Sequence, residues 1–347
     1  MEQTVMSKAE SQVMEKTIAA GEEIAATAAD RPVGCPLCGG AQISHFLSGP
    51  DRFHGRVQVF HLLRCSACSG VWLDSPPKPE QMGIHYDEDY HKTIMMAGET
   101  AADIRWRRHH ELISRYKQGG AILDIGCSSG AFLKTMRSDA WKLYGIELEA
   151  STAQKARAAS GAEVFVGDVE EAPFAPESFD VITAFDLLEH VYHPRQFLAL
   201  VHRWLKPGGI FFVMLPNIES LESRLLGNYW YGLELPRHLT HFSPQSLRRV
   251  LTSMGFQESF LGTSNTYAER SLGYVCSTIL EKFGYFPPPA SKATKGSIPV
   301  RALRKMMRLA LIQPAGHLAS MVGAGANIEA IFAKPSVPNG TARKRQD

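Results

Sequence analysis

The stretch Ile122-Leu-Asp-Ile-Gly-Cys-Ser-Ser-Gly130 constrains this chain more than any other. Ala121 to Ile125 is apolar apart from Asp124, which reads as a buried strand. The glycines after it permit a tight turn into a helix from about Ala131. Such a strand–turn–helix gathers unpaired backbone N–H groups at a helix N-terminus, where an anionic group is welcome. Asp124 at the strand end has the opposite preference, because a carboxylate repels a pyrophosphate and attracts a cation. The turn therefore suits a ligand that joins a carboxylate to positively charged groups.

Beyond the turn, strand and helix alternate. Trp141 to Ile146 reads as a second strand ending at Glu147, and the Ala-rich run Ser151 to Ser160 as a helix stopped by Gly161. Glu163 to Val166 precedes Gly167-Asp168, and Phe179 to Ala184 is a fourth strand. Pro194 and Lys206-Pro-Gly-Gly209 bracket a helix, and Ile210 to Leu215 is a wholly apolar fifth strand. A helix capped by Ser243 and ended by Gly255 leads to a strand at Phe256 to Leu261, and Ile328 to Ala333 is the last. Apolar runs separated by helices describe an α/β fold with a doubly wound, mostly parallel seven-stranded sheet.

Before this core, Cys35-Pro-Leu-Cys38-Gly-Gly is answered by Cys65-Ser-Ala-Cys68-Ser-Gly. Two such turns let four thiolates converge on one tetrahedral ion, so the segment reads as a small zinc ribbon. Four cysteines close the coordination shell, which makes the zinc structural and leaves His45, His54 and His61 as surface residues. The organisation expected is a flexible segment at 1–30, the ribbon at 31–77, a helical connector at 78–118 and the main core at 119–265. A helical, basic insert at 266–327, a final strand at 328–334 and a disordered tail at 335–347 complete it. A polar helix from about Asp103 to Tyr116 lies in the connector, with His109 and His110 read as surface positions.

Composition narrows the partners. A net charge of +2 over 347 residues does not mark a nucleic-acid binder, and nucleic acid is not expected as a partner. The chain shows no apolar run of membrane-spanning length and no signal-peptide core, so a cytoplasmic location is expected. Residues 283–328 lack any acid, and 300–312 reads as an amphipathic helix with Arg301, Arg304, Lys305 and Arg308 together. Packing on the domain with the basic face in water is favoured slightly over peripheral contact with an anionic membrane.

The groups facing a ligand all fall at carboxyl ends of parallel strands, where doubly wound sheets bind. Glu147 sits where an acid takes two ribose hydroxyls, and Asp168 can accept from an adenine amino group while Val169 donates its N–H. Phe185 follows the fourth strand and can pack beside the base or the methionine arm. Together with Leu188-Glu-His-Val191 and Leu205-Lys-Pro-Gly-Gly209, these motifs resemble class I S-adenosylmethionine-dependent methyltransferases. Within them the chain is similar to the ubiquinone-biosynthesis type, and more so to bacterial members with an N-terminal zinc ribbon, often found with sugar or cell-surface polysaccharide pathways.

The resemblance implies a Rossmann-like fold and S-adenosylmethionine as donor. It assigns Gly126, Cys127, Ser128 and Gly130 to the methionine portion, Asp124 to its ammonium, Glu147 and Leu148 to the ribose, and Asp168 and Val169 to the adenine. His190 matches a position that shapes the cofactor pocket. Ser128 stands where many members have glycine. Cys127 is read as a lining residue, since a nucleophile needs a partnered base. His238 and His241, in the connection after the fifth strand, are the expected candidates for a general base, with anchoring of the loop as the alternative. The acceptor expected is a small molecule, a sugar or glycoconjugate precursor. A quinone or lipid-linked acceptor, RNA, or a non-catalytic scaffold that binds cofactor are the alternatives.

Overall fold

The computed structural model describes residues 34–52, 58–86, 99–264 and 313–336. The expected segment 1–30, His54, the basic helix at 300–312 and the tail from 337 lie outside the described residues.

The larger sheet has seven strands: β4 (Gly120–Ile125), β5 (Trp141–Glu147), β6 (Glu163–Val166), β7 (Phe179–Phe185), β8 (Leu205–Pro216), β10 (Gln257–Ser264) and β11 (Asn327–Ala333). Their order is β10-β11-β8-β7-β4-β5-β6. Strands β4 to β8 pair in parallel, whereas β11 runs antiparallel to both neighbours. The chain winds outward through β4, β5 and β6 and then returns to the other side of β4 with β7. That reversal opens a crevice at the carboxyl ends of β4 and β7. This is the doubly wound α/β architecture expected.

The described helices include α1 (Glu99–Ser114), α2 (Ala131–Thr135), α3 (Ala150–Ser160), α4 (Pro194–Trp204), α5 (Leu221–Leu226), α6 (Pro244–Ser253) and α7 (Gln313–Met321). In α4, Phe197, Leu198, Val201 and Trp204 share one buried stripe at helical spacing. Each such side chain stabilises the fold by about 2 kcal/mol through burial. The start of α6 is fixed by a reciprocal Ser243–Ser246 capping box with Pro244 at the first position.

Two local expectations are corrected. The fifth strand starts before Ile210: Lys206-Pro-Gly-Gly209, which follows the end of α4 as expected, is already part of β8, and Gly208 and Gly209 exchange backbone hydrogen bonds with Lys334 beyond β11. His109 is not a surface residue. It is 1% exposed, stacks on Phe185 at 4.8 Å and lies 3.7 Å from Glu329, which Arg108 also holds at 2.8 Å. Polar neighbours disguise the inner face of α1, where Trp106, His109, Leu112 and Ile113 follow helical spacing.

The smaller sheet joins β1 (Ile43–Pro50), β2 (Val59–Cys65) and β3 (Val71–Asp74) with β9 (Thr240–His241), in that order. The ribbon therefore takes its last strand from the connection after β8. Leu73 N donates to Leu239 O at 2.8 Å beside this pairing. Arg195 and Arg249, on α4 and α6, donate to the carbonyls of Leu37 and Ala67 in the two cysteine turns. Trp72 and Leu37 belong to the same apolar cluster as β7, β8 and α4, so ribbon and sheet share a core.

Candidate active site

The glycine turn is built tightly. Gly126 (φ +73°), Ser128 (φ +48°) and Gly130 (φ +76°) all occupy the left-handed region. A Cβ at Gly130 would lie 2.9 Å from Ala156 Cα, so only glycine brings α2 this close to α3. Ser128, the departure from the commoner glycine, takes the same backbone region at a cost of about 1 kcal/mol. Three of the turn's N–H groups are already engaged within the chain. Gly126 N and Cys127 N donate to Ile146 O at 2.9 and 3.0 Å, and Ser128 N donates to Glu147 Oε2 at 2.9 Å. These bonds lash the end of β4 to the end of β5, because the two strands are neighbours and their carboxyl ends stop level.

Glu147 accepts from Glu149 N as well, at 3.2 Å on Oε1. Its carboxylate is thus held in place with lone pairs left over for a ligand's hydroxyls. Asp168 accepts from Glu170 N at 2.9 Å and is exposed, Val169 is half-buried beside it, and Leu148 is exposed. Asp124 is buried and accepts from Thr183 Oγ1 at 2.6 Å; burial pushes its carboxyl up to about 7. Such a group is poised to ionise when a cation arrives. Cys127 is buried against Gly145, and burial pushes its thiol up to about 12, which fits a lining role. Phe185 is half-buried within a ring cluster of Trp106, His109, Phe132 and Phe212.

Next to this crevice stands a buried polar wall. The chain leaves β7 through Asp186 and Leu187, whose side chain abuts Gly126, into a short turn Leu188–His190. The connection after β8 is stapled to that turn by Leu239 N donating to Glu189 O at 2.7 Å. His238 Nδ1 donates to Gly232 O at 2.9 Å, and His190 Nδ1 lies 3.0 Å from Arg237 O and 2.9 Å from Tyr86 Oη. His241 donates from Nε2 to Leu233 O at 3.1 Å.

Both expected base candidates are buried; burial holds His241 down at about 4 and His238 well below the usual range. Burial likewise lowers His190 to about 4 and raises Glu189 well above the carboxylate range. Behind them, Arg237 is fully buried between Asp51 and Glu234. Sequence reasoning overlooked Glu189, Tyr86 and Arg237. For Glu189 the only signal was its place beside His190, while Tyr86 and Arg237 carried none.

In the cysteine turns, Cys35 and Cys68 Sγ lie 3.6 Å apart, as do Cys38 and Cys65 Sγ, and all four converge within 4.8 Å. Four sulfurs about 2.3 Å from a tetrahedral zinc would stand about 3.8 Å from one another, so the donor set has the right size. Gly40 N and Gly70 N point at Cys38 and Cys68 Sγ at 3.4 and 3.3 Å. Such donors favour thiolates.

Residues 97–258, which include the crevice and the polar wall, match the family model of a methyltransferase domain. A ubiquinone biosynthesis O-methyltransferase of Thiobacillus denitrificans is 31% identical over 161 residues, covering 43% of this chain and 69% of that protein. The chain belongs to the S-adenosylmethionine-dependent methyltransferases. A Mycolicibacterium smegmatis protein named as a probable S-adenosylmethionine-dependent methyltransferase is 29% identical over 166 residues, covering 45% of this chain and 62% of that one. The chain thus spans 62% and 69% of the length of these two curated relatives. Among solved structures, a SAM-dependent methyltransferase from Archaeoglobus fulgidus is 18% identical with a TM-score of 0.47, over 72% of this chain and 100% of that one.

S-adenosylmethionine fits the methyltransferase crevice chemically. Asp124, buried as a carboxyl, would hold its ammonium and sulfonium, and the fixed Glu147 carboxylate would hold its ribose. When bound, it supplies an electrophilic methyl; the chain supplies position and charge.

Proposed function

We propose that this methyltransferase modifies a small, polar acceptor, a sugar or glycoconjugate precursor, held between the Leu188–His190 turn and the connection at 217–242. One observation supports this above others: the wall beside the donor crevice is built of Glu189, His190, Glu234 and His238 rather than apolar side chains. Both Glu189 oxygens are buried with no hydrogen-bond partner among the described residues. A hydroxylated acceptor supplies such partners, whereas an apolar ring would leave the carboxylate stranded.

In this reading Asp124, Gly126, Cys127, Ser128, Gly130, Glu147, Leu148, Asp168, Val169 and Phe185 form the donor side, and His190 stands between donor and acceptor. His241, with Nε2 spent on Leu233 O, positions the connection. The four cysteines hold a structural zinc, in keeping with a reducing, cytoplasmic setting. Among the described residues no helix is long and apolar enough to cross a membrane.

A second reading, methylation of a quinone precursor, is favoured by the relatives' names. Incubating the full chain with labelled donor and separate sugar-nucleotide, polysaccharide-precursor and quinone-precursor fractions tests both. Label in a hydrophilic product supports the first reading, and label confined to the quinone fraction overturns it.

A further inference from the structure

Arg237 carries a full charge yet ranks among the largest completely buried side chains of the described residues. Its guanidinium reaches into the cysteine-bearing module. Nη1 and Nη2 donate to Oδ2 and Oδ1 of Asp51 at 3.4 and 3.3 Å, and Asp51, directly after β1, is 0% exposed. Nη1 also donates to His85 O at 3.2 Å, Nε lies 3.4 Å from Glu234 Oε1, and His85 Nδ1 lies 3.1 Å from Asp51 Oδ2. A buried ion pair is a poor way to stabilise a fold, because well-packed apolar side chains do as well or better. What a two-pronged guanidinium–carboxylate pair adds is a fixed direction.

The main chain of the same segment meets the polar wall. Arg237 O lies 3.0 Å from His190 Nδ1, the His238 ring stands edge-on to His190 with centroids 4.6 Å apart, and Leu239 N donates to Glu189 O at 2.7 Å. Tyr86 Oη, 2.9 Å from the same His190 nitrogen, can accept from it or, in the other tautomer, donate to it. A carbonyl can only accept, so Arg237 O decides: the proton sits on Nδ1 and Nε2 keeps the lone pair.

We infer that Asp51 is a positioning residue for the acceptor side: through Arg237 it seats the backbone of residues 237–239 and thereby fixes the tautomer of His190. Asp51 is fully buried and acts on the wall through Arg237, not by touching donor or acceptor. The cysteine-bearing module then serves the reaction by holding one wall of the acceptor side in place. The inference deepens the polar-acceptor reading and rests on it for its consequence. A hydroxylated acceptor that meets a bare Nε2 is oriented with its O–H toward the ring, whereas an Nε2–H would turn the hydroxyl oxygen toward it.

Nitrogen NMR of the full chain labelled at its histidines reads the tautomer directly, with His190→Gln supplying the assignment and S-adenosylhomocysteine affinity measured in parallel. In the parent, His190 Nδ1 should resonate as a protonated nitrogen and Nε2 as a bare one. In Asp51→Asn the guanidinium loses its charged partner. The expected spectrum is a mixture of both tautomers, with exchange at the Leu239 amide about tenfold or more faster. Combining Asp51→Asn with Arg237→Met removes both charges, which folds are known to tolerate, so this double variant decides the matter if the single one does not fold. A purely structural pair predicts that His190 in the double variant returns to Nδ1–H; a positioning pair leaves it mixed, because methionine has no fork. S-adenosylhomocysteine affinity within about threefold of the parent shows that the variants are folded, since the donor crevice is built from other strands. A parent His190 protonated on Nε2, or an unchanged tautomer in either folded variant, overturns the inference. If the parent fails to bind S-adenosylhomocysteine, the donor reading fails. If donor label reaches the quinone fraction alone, the acceptor reading fails while the His190 result stands, so the three failures are distinct.

Discussion

Replacing Asp124 by Asn tests the donor crevice through the stability of the ligand-free chain. Burial raises the Asp124 carboxyl from 3.8 to about 7, with the Thr183 hydroxyl bond opposing the shift. Below 3.8 the folded and unfolded chains both carry the proton; between there and about 7 the folded chain alone retains it. The unfolded chain binds fewer protons across that window, so this contribution to stability falls as pH rises and is lost above about pH 7. At about 1.4 kcal/mol per unit, the swing is about 4 kcal/mol.

Asn keeps the shape and can still accept from Thr183, but it does not titrate. Other groups act in the opposite sense. His190 and His241, held down at about 4, lose stability as pH falls, and they do so in both proteins. The difference between parent and Asp124→Asn therefore isolates the carboxyl. Urea unfolding at pH 5, 6, 7 and 8 should show the Asn variant gaining about 3 kcal/mol relative to the parent over that span. Its affinity for S-adenosylmethionine should fall about tenfold or more, because the donor's ammonium loses a buried counter-charge. A parent-to-variant stability difference that stays constant from pH 5 to 8 would refute the burial argument.

Three further outcomes follow from other parts of the molecule. Gly130→Ala forces a Cβ to within 2.9 Å of Ala156 at φ +76°, whereas Gly161→Ala at φ +75° meets nothing within 4 Å. Unfolding should show a loss of about 1 kcal/mol at Gly161 and about 2 to 4 kcal/mol at Gly130; equal losses would remove the packing argument. Cys127→Ala should keep turnover within about fivefold, and the native thiol should resist alkylation at pH 7.5, since burial places it at about 12. Loss of all turnover in a folded variant would make it more than a lining residue. Cys65→Ser should remove one zinc per chain and speed hydrogen exchange at Leu73 N, which bonds Leu239 O across β3 and β9. Unchanged zinc content, or an unmoved Leu73 amide, would count against a structural ion there.

Much of this methyltransferase was readable in the amino-acid order because its strongest signals are local. The run Ile122 to Gly130 carries its own strand, left-handed turn positions and helix start, and the apolar strands β7 and β8 are spelled in consecutive residues. The paired cysteine turns are equally local, since each is a single hairpin-like knuckle closed by its own backbone bonds. Helix caps such as Ser243-Pro244 belong to the same class. A few neighbouring residues suffice to set each of these features.

What escaped the sequence depends on contacts between distant segments. β9 is two residues long, too short to show a period, and exists only because β3 offers it a free edge. His109 looked solvent-exposed until α1 was laid against Phe185 and Glu329. The N–H groups of Gly126, Cys127 and Ser128 read as available in the sequence, but Ile146 and Glu147 occupy them. Glu189 became a buried, unpartnered carboxylate only when residues 232–239 closed over it and brought His238 to its side. Burial and pairing are properties of the assembled core, so the strand ends and glycine turn that border the crevice were legible residue by residue, while the buried polar wall was decided by the fold.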